Sequence, residues 1–139
     1  MDTDGSSWQK PDQVKLNEFV DKCVWTYCTY THYKELFEGK ESALKLFEKI
    51  SHRFFADLNH ILIEYSILQL CSLTGPASTK VKREKKENLT INTLLETIVW
   101  PTEIKDQIDG KANQLNTFRE KIVSARNQII AHSDYETFL

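Results

Sequence analysis

The chain has 139 residues, of which 40% are hydrophobic and 27% charged, and its formal net charge is −2. These values are ordinary for one soluble globular domain. The small acidic excess argues against a protein that coats nucleic acid, because such proteins are basic overall. Four glycines and three prolines favour long helices over a turn-rich β architecture.

The sequence shows no sign of export, of a membrane span or of a disulfide framework. No apolar run reaches the ~18–20 residues that a span requires, and the acidic, polar start is unlike a secretory signal. The three cysteines, Cys23, Cys28 and Cys71, are odd in number and lack CxxC spacing, which predicts reduced thiols. We therefore expect a cytoplasmic protein that has no membrane contact and uses no cofactor.

The first half of the chain predicts two long helices. Residues 1–9 are expected to form a disordered tail. A helix then runs from about 11 to 37, with Pro11 in its first turn and Gly39 just after its end. A second, central helix has apolar residues at spacings of three and four and ends at a stop signal over 73–76. Its predicted buried stripe consists of Leu44, Phe47, Ser51, Phe54, Leu58, Ile61, Tyr65 and Leu68.

A basic segment follows, from Lys80 to Lys86. It has five basic residues against one acid and no apolar periodicity. One interpretation is a solvated, mobile loop. The other is an electrostatic contact for a phosphate backbone, made by Lys82 and Arg83. Both interpretations stay open at this point.

The second half predicts a short helix and a long one. The segment 88–90 caps the short helix, which ends near Trp100 and Pro101. A long helix restarts at Thr102, with Gly110 as a weak point. Its apolar stripe is Ile104, Ile108, Leu115, Phe118, Ile122, Ala125 and Ile129, with His132 next. No strand pattern is visible. The prediction is an all-α, compact bundle of about four helices in one domain over 10–139, the two long first helices packing antiparallel.

The most informative motif lies near the C-terminal end of the last predicted helix, where Arg126 and Asn127 are followed by His132. Arginine offers a rigid fork of donors that fits phosphate, and histidine moves protons near neutral pH. On a regular helix, however, residues six apart lie about 120° apart. Either the helix loosens near Ala131, or the site takes Arg126 from one subunit and His132 from the other. The non-functional alternative is a half-buried His132 satisfied by a carboxylate such as Asp134 or by a backbone carbonyl.

This motif and its flanks resemble a known family. Five segments are similar to the HEPN superfamily (higher eukaryotes and prokaryotes nucleotide-binding domains). They are R-N-Q-I-I-A-H at 126–132, T-G-P at 74–76, the basic linker, E-N-L-T-I-N-T-L-L at 87–95 and A-H-S-D at 131–134. Within it they resemble the abortive-infection (AbiU2-like) branch, over most of residues 40–134.

The resemblance implies a metal-independent endoribonuclease of the toxin or antiphage-defence type. Such domains typically form homodimers in which two motif helices face each other across one cleft, and toxins are commonly paired with a neutralising antitoxin protein. Arg126 would hold the RNA phosphate, His132 would act as general base or acid for the ribose 2′-hydroxyl, and Asn127 would orient Arg126. Asp134 would line the cleft and orient the imidazole. No metal is implied.

Two other classes of function compete with this interpretation. One is a non-catalytic HEPN-like module that binds nucleotide or RNA through Arg126 and the basic segment. The other is a helical dimerisation module in which the motif is structural. A metal site is the weakest idea, because His60 and Glu64 share one helical face but make only two ligands.

Overall fold

A computed structural model describes the backbone of residues 10–135 and the side chains of residues 12–131. Within that range the chain forms four helices and one two-stranded sheet, which confirms the predicted helical bundle. In chain order the elements are α1 (Lys10–Phe37), α2 (Glu41–Leu73), β1 (Ser78–Val81), β2 (Glu84–Glu87), α3 (Ile91–Thr97) and α4 (Thr102–Tyr135). The predicted tail over 1–9 lies outside the described residues. No described helix is long and apolar enough to cross a bilayer.

Helix α2 is the central element. It packs against α1 on one side and α4 on the other, while α3 contacts α1 and α4. Its predicted stripe is partly wrong, because Phe54 and Ile61 are both 58% exposed. The helix is interrupted at Ser51, which has φ −163° and ψ 83°. This break precedes both residues, so their exposure reflects which face of α2 the neighbouring helices cover.

The core lies at one end of the bundle, where all four helices meet. Helix α3 provides its centre, and Leu94 is only 1% exposed. The buried cluster comprises Phe19, Leu73, Ile91, Leu94, Ile98 and Ala112. The predicted stripe of α4 missed Ala112, because a small apolar residue contributes little to a hydrophobic pattern although it permits close helix packing.

The start of α3 is held by side chains that also fix the turn after α2. Thr90 caps the helix as predicted, with its Oγ1 accepting from the Thr93 backbone N–H at 3.2 Å. Asn92 Nδ2 donates to the Gly75 carbonyl at 2.9 Å, and Asn92 and Asn116 exchange amide hydrogen bonds of 3.2 and 3.0 Å. The turn after α2 is therefore fixed to both α3 and α4.

The basic segment forms a β-hairpin, so the expectation of no strand was wrong. β1 and β2 pair antiparallel, and the two-residue turn places Lys82 at φ 47° and Arg83 at φ 74°. Positive φ at both turn residues matches the twist of a two-residue hairpin. Residues 79–87 are all exposed, so no face is buried and no apolar alternation marks the strands. Main-chain pairing, rather than burial, defines this element.

Candidate functional site

Arg126 lies in a cleft of about 520 Å³ at the end of the bundle that holds the core. The C-terminal end of α2, the base of the hairpin, the start of α3 and the side of α4 form its walls. Two further cations line it, Arg119 from α4 and Lys22 from α1. The cleft therefore collects three basic side chains from positions far apart in the sequence.

The described part of the chain offers no acid close enough to neutralise these three cations. Among the described side chains, no carboxylate lies within 4.0 Å of Lys22, Arg119 or Arg126. Glu87 lies at the rim, but its Oε1 is 2.8 Å from Lys15 Nζ and is thus already paired. The cleft has an excess of positive charge and suits an anion.

Arg126 is half-buried, and its Nη1 donates to Asn127 Oδ1 at 3.0 Å. This bond between neighbours uses one of the five guanidinium N–H donors. Among the described residues, no other hydrogen bond engages this guanidinium, so its remaining donors can serve a ligand in the cleft.

Arg119 lies two helical turns before Arg126, so the two residues share one face of α4. Its Nε is buried and has no hydrogen-bond partner among the described residues. Sequence reasoning missed this residue, although the seven-residue spacing from Arg126 could have revealed it. Lys22 carries no such signal, because it reaches the cleft only through the packing of α1.

Cys71 lines the cleft and is 6% exposed. Burial raises the pKa of its thiol, and the positive charges of Arg119 and Arg126 act in the opposite direction. Arg119 and Arg126 line the same cleft as Cys71, so the two arginines belong to one basic cluster rather than to separate surface sites.

The other predicted site residues divide into two groups. Lys82 and Arg83 lie at the exposed hairpin turn and do not line the cleft, whereas the base of the hairpin does. The side chains of His132 and Asp134 lie outside the described part of the chain. The backbone of α4 is helical through Ala131 to Tyr135, so it shows no loosening there, and positions 126 and 132 are about 120° apart around the axis.

Two other grooves carry less chemistry. A groove of about 590 Å³ between α1 and the hairpin base contains Lys15, which is paired with Glu87. A groove of about 500 Å³ between α2 and α4 contains His60 and Glu64, with Nε2 2.8 Å from Oε1. Among the described residues, no group of three or more His, Cys, Asp or Glu side chains could hold a metal ion.

Comparison with known proteins identifies the family. The sequence model of the HEPN domain of AbiU2 matches residues 13–139. The match spans all four helices, the hairpin, the basic cleft and the Arg126–His132 motif. No curated protein and no solved structure matches the chain. Because the family match covers nearly the whole sequence, this protein belongs to the AbiU2 family of HEPN domains.

Proposed function

We propose that this protein is a metal-independent endoribonuclease of the toxin or antiphage-defence type, with Arg126 and His132 as its catalytic residues. The observation that carries the proposal is the half-buried Arg126, which lines a cleft with Arg119 and Lys22 and has no described carboxylate within 4.0 Å. A partly desolvated cation without a counter-charge is costly. An RNA phosphate would supply that counter-charge.

The reaction needs only the RNA and these side chains. His132 takes the proton of the ribose 2′-hydroxyl, whose oxygen then attacks the adjacent phosphorus. The bond from phosphorus to the 5′-oxygen of the next nucleotide breaks, and that oxygen takes a proton from the protonated His132 or from water. The products are a 2′,3′-cyclic phosphate and a 5′-hydroxyl. Arg126 stabilises the charge that develops on the non-bridging phosphate oxygens, while Asn127 holds its guanidinium.

The proposed site is shared between two subunits. Since α4 stays helical past Ala131, positions 126 and 132 lie on different sides of one helix. A two-fold homodimer would bring Arg126 of one subunit to His132 of the other, because each surface then meets its own copy. Ile63, an exposed apolar side chain that shares a groove with Ala125 of α4, provides surface for such an interface.

The other predicted residues have supporting roles in this proposal. Lys82 and Arg83, at the exposed tip of the hairpin, contact the RNA backbone outside the cleft, where they add affinity without contacting the reacting phosphate. Asp134 orients the imidazole of His132. A neutralising antitoxin protein would act by covering the cleft.

A non-catalytic RNA-binding module is the second candidate, and one observation favours it. The cations of the cleft would bind phosphate whether or not a base is present. Cleavage of a mixed RNA pool by pure protein in EDTA separates the two candidates. We expect fragments with 2′,3′-cyclic phosphate ends from the wild type and none from His132→Ala or Arg126→Ala. Salt-sensitive RNA binding without cleavage by the wild type would favour the binding module instead.

Mixing inactive subunits tests the shared site. Arg126→Ala and His132→Ala subunits, unfolded and refolded together, should form heterodimers with one complete site each. Random pairing would restore about a quarter of wild-type activity, because about half the dimers are mixed and each has one of two sites. A mixture as inactive as its parents, with dimers shown to exchange, would contradict the shared arrangement.

A further inference from the structure

The basic cleft holds more positive charge than one phosphate needs. Besides Arg126 it contains Arg119 and Lys22, and no described carboxylate lies within 4.0 Å of either. Its volume of about 520 Å³ is in the range of sites for small organic ligands. The cleft is therefore large enough for a nucleotide unit rather than for a lone phosphate group.

The two arginines are placed for neighbouring phosphates. Arg119 and Arg126 lie on the same face of α4, two turns and about 10.5 Å apart along its axis. Lys22 reaches the same cleft from α1. The separation suits two acceptors spaced along a polynucleotide better than one acceptor held by both side chains.

Arg119 also has a buried donor that lacks an acceptor. Its Nε is inaccessible to solvent and has no hydrogen-bond partner among the described residues. A buried donor without a partner is unfavourable, and a charged acceptor that enters the cleft would remove this cost. Arg119 lines the cleft, and no structural hydrogen bond holds its Nε among the described residues.

We propose that Arg119, assisted by Lys22, binds a second phosphate of the substrate, next along the strand to the phosphate held by Arg126. The proposal rests on the proposed function, since it takes RNA as the ligand. It makes the substrate at least two phosphates long. Leu68, Leu89 and Ile130 in the cleft wall would contact the sugar and base between the two phosphates. The preferred substrates are then internal positions of an RNA strand.

Non-cleavable ligands of defined phosphate count test the proposal. A 2′-deoxy dinucleoside monophosphate has one phosphate, and the same compound with an added 5′- or 3′-terminal phosphate has two. For the wild type we expect one of the two added phosphates to tighten binding roughly tenfold, as a charge-assisted contact would. Arg119→Gln should abolish this gain. Arg126→Gln should weaken both ligands and preserve the gain, and Arg53→Gln, an exposed arginine outside the cleft, should change neither.

Variants and controls keep a folding defect from being mistaken for the effect. Circular dichroism checks that each variant is folded. Arg119→Lys should keep part of the gain in affinity from the second phosphate. Lys22→Gln, on a different helix, should reduce that gain about threefold. A tenfold gain that persists in Arg119→Gln would overturn the proposal, as would no gain from either terminal phosphate in the wild type. RNA cleavage in EDTA is scored separately. If the protein cleaves RNA but shows no gain from a second phosphate, the nuclease proposal stands and the second phosphate site is refuted. If it shows the gain but no cleavage, the second phosphate site stands and the nuclease proposal is refuted.

Discussion

The protein has two basic regions, and the fold treats their charge in opposite ways. The hairpin holds five basic residues within seven positions, and all of them are exposed. The cleft holds only Lys22, Arg119 and Arg126, but the fold half-buries them around one space. Exposed charges are screened by salt within about 8 Å, whereas half-buried charges interact through a lower effective dielectric. Local charge density in a sequence is therefore a poor guide to where an anion binds tightly.

The largest expected effect is a difference in RNA cleavage rate between variants of the cleft and variants of the hairpin. Arg126→Gln removes one charge from the cleft, while Lys82→Gln with Arg83→Gln removes two from the hairpin. We expect cleavage to fall roughly 100- to 1000-fold in the first variant, because a preorganised transition-state donor is lost, and only a few-fold in the second. Single-turnover cleavage rates provide the measurement, with Arg53→Gln as the control. If net charge alone mattered, the hairpin variant would be the slower enzyme.

Salt dependence sharpens the same contrast. The hairpin variant should lower the slope of log affinity against log salt by about 1.4, because each contact with a single strand contributes about 0.7. Affinity measured from low to high salt with a non-cleavable RNA gives this slope. An unchanged slope would show that the hairpin does not touch the RNA.

A smaller effect concerns the wall of the cleft. Asn92→Ala removes the hydrogen bonds to the Gly75 carbonyl and to Asn116. Because these groups are partly buried, we expect the free energy of unfolding to fall by about 1–3 kcal/mol. Urea denaturation measures it. Asn17→Ala is the control, since its bond with Gln13 is exposed, and it should stay within about 0.5 kcal/mol of wild type. Equal effects of both variants would contradict the assigned role of Asn92.

The smallest expected effect is a gain in stability at the hairpin turn. Lys82 and Arg83 both have positive φ, which suits asparagine and glycine better than longer side chains. The double change Lys82→Asn with Arg83→Gly should raise the free energy of unfolding by up to about 1 kcal/mol, measured by urea denaturation. Lys85→Asn, in a strand position, should give no such gain. Destabilisation by the double change would mean that the turn is not the two-residue type.

Local signals predicted several elements well. The limits of α1, the end of α2, the Thr90 cap and the restart at Thr102 follow from capping residues, helix stop signals and a proline, which act over a few residues of chain. The hairpin escaped prediction because its strands bury no face and so show no alternation. The α2 stripe failed at Phe54 and Ile61 because the placement of the neighbouring helices decides which face is covered.

The sequence by itself determined the helical class, the family and the position of Arg126 in a motif, since periodicity, caps and motif spacing are properties of the chain. Only the tertiary structure decided that Arg126 shares a cleft with Arg119 and Lys22, and that Lys82 and Arg83 lie apart from it. The physical reason is that burial and electrostatic strength depend on which surfaces pack together. The packing of the helices brings Lys22 and Arg126, about a hundred positions apart in the sequence, to one cleft.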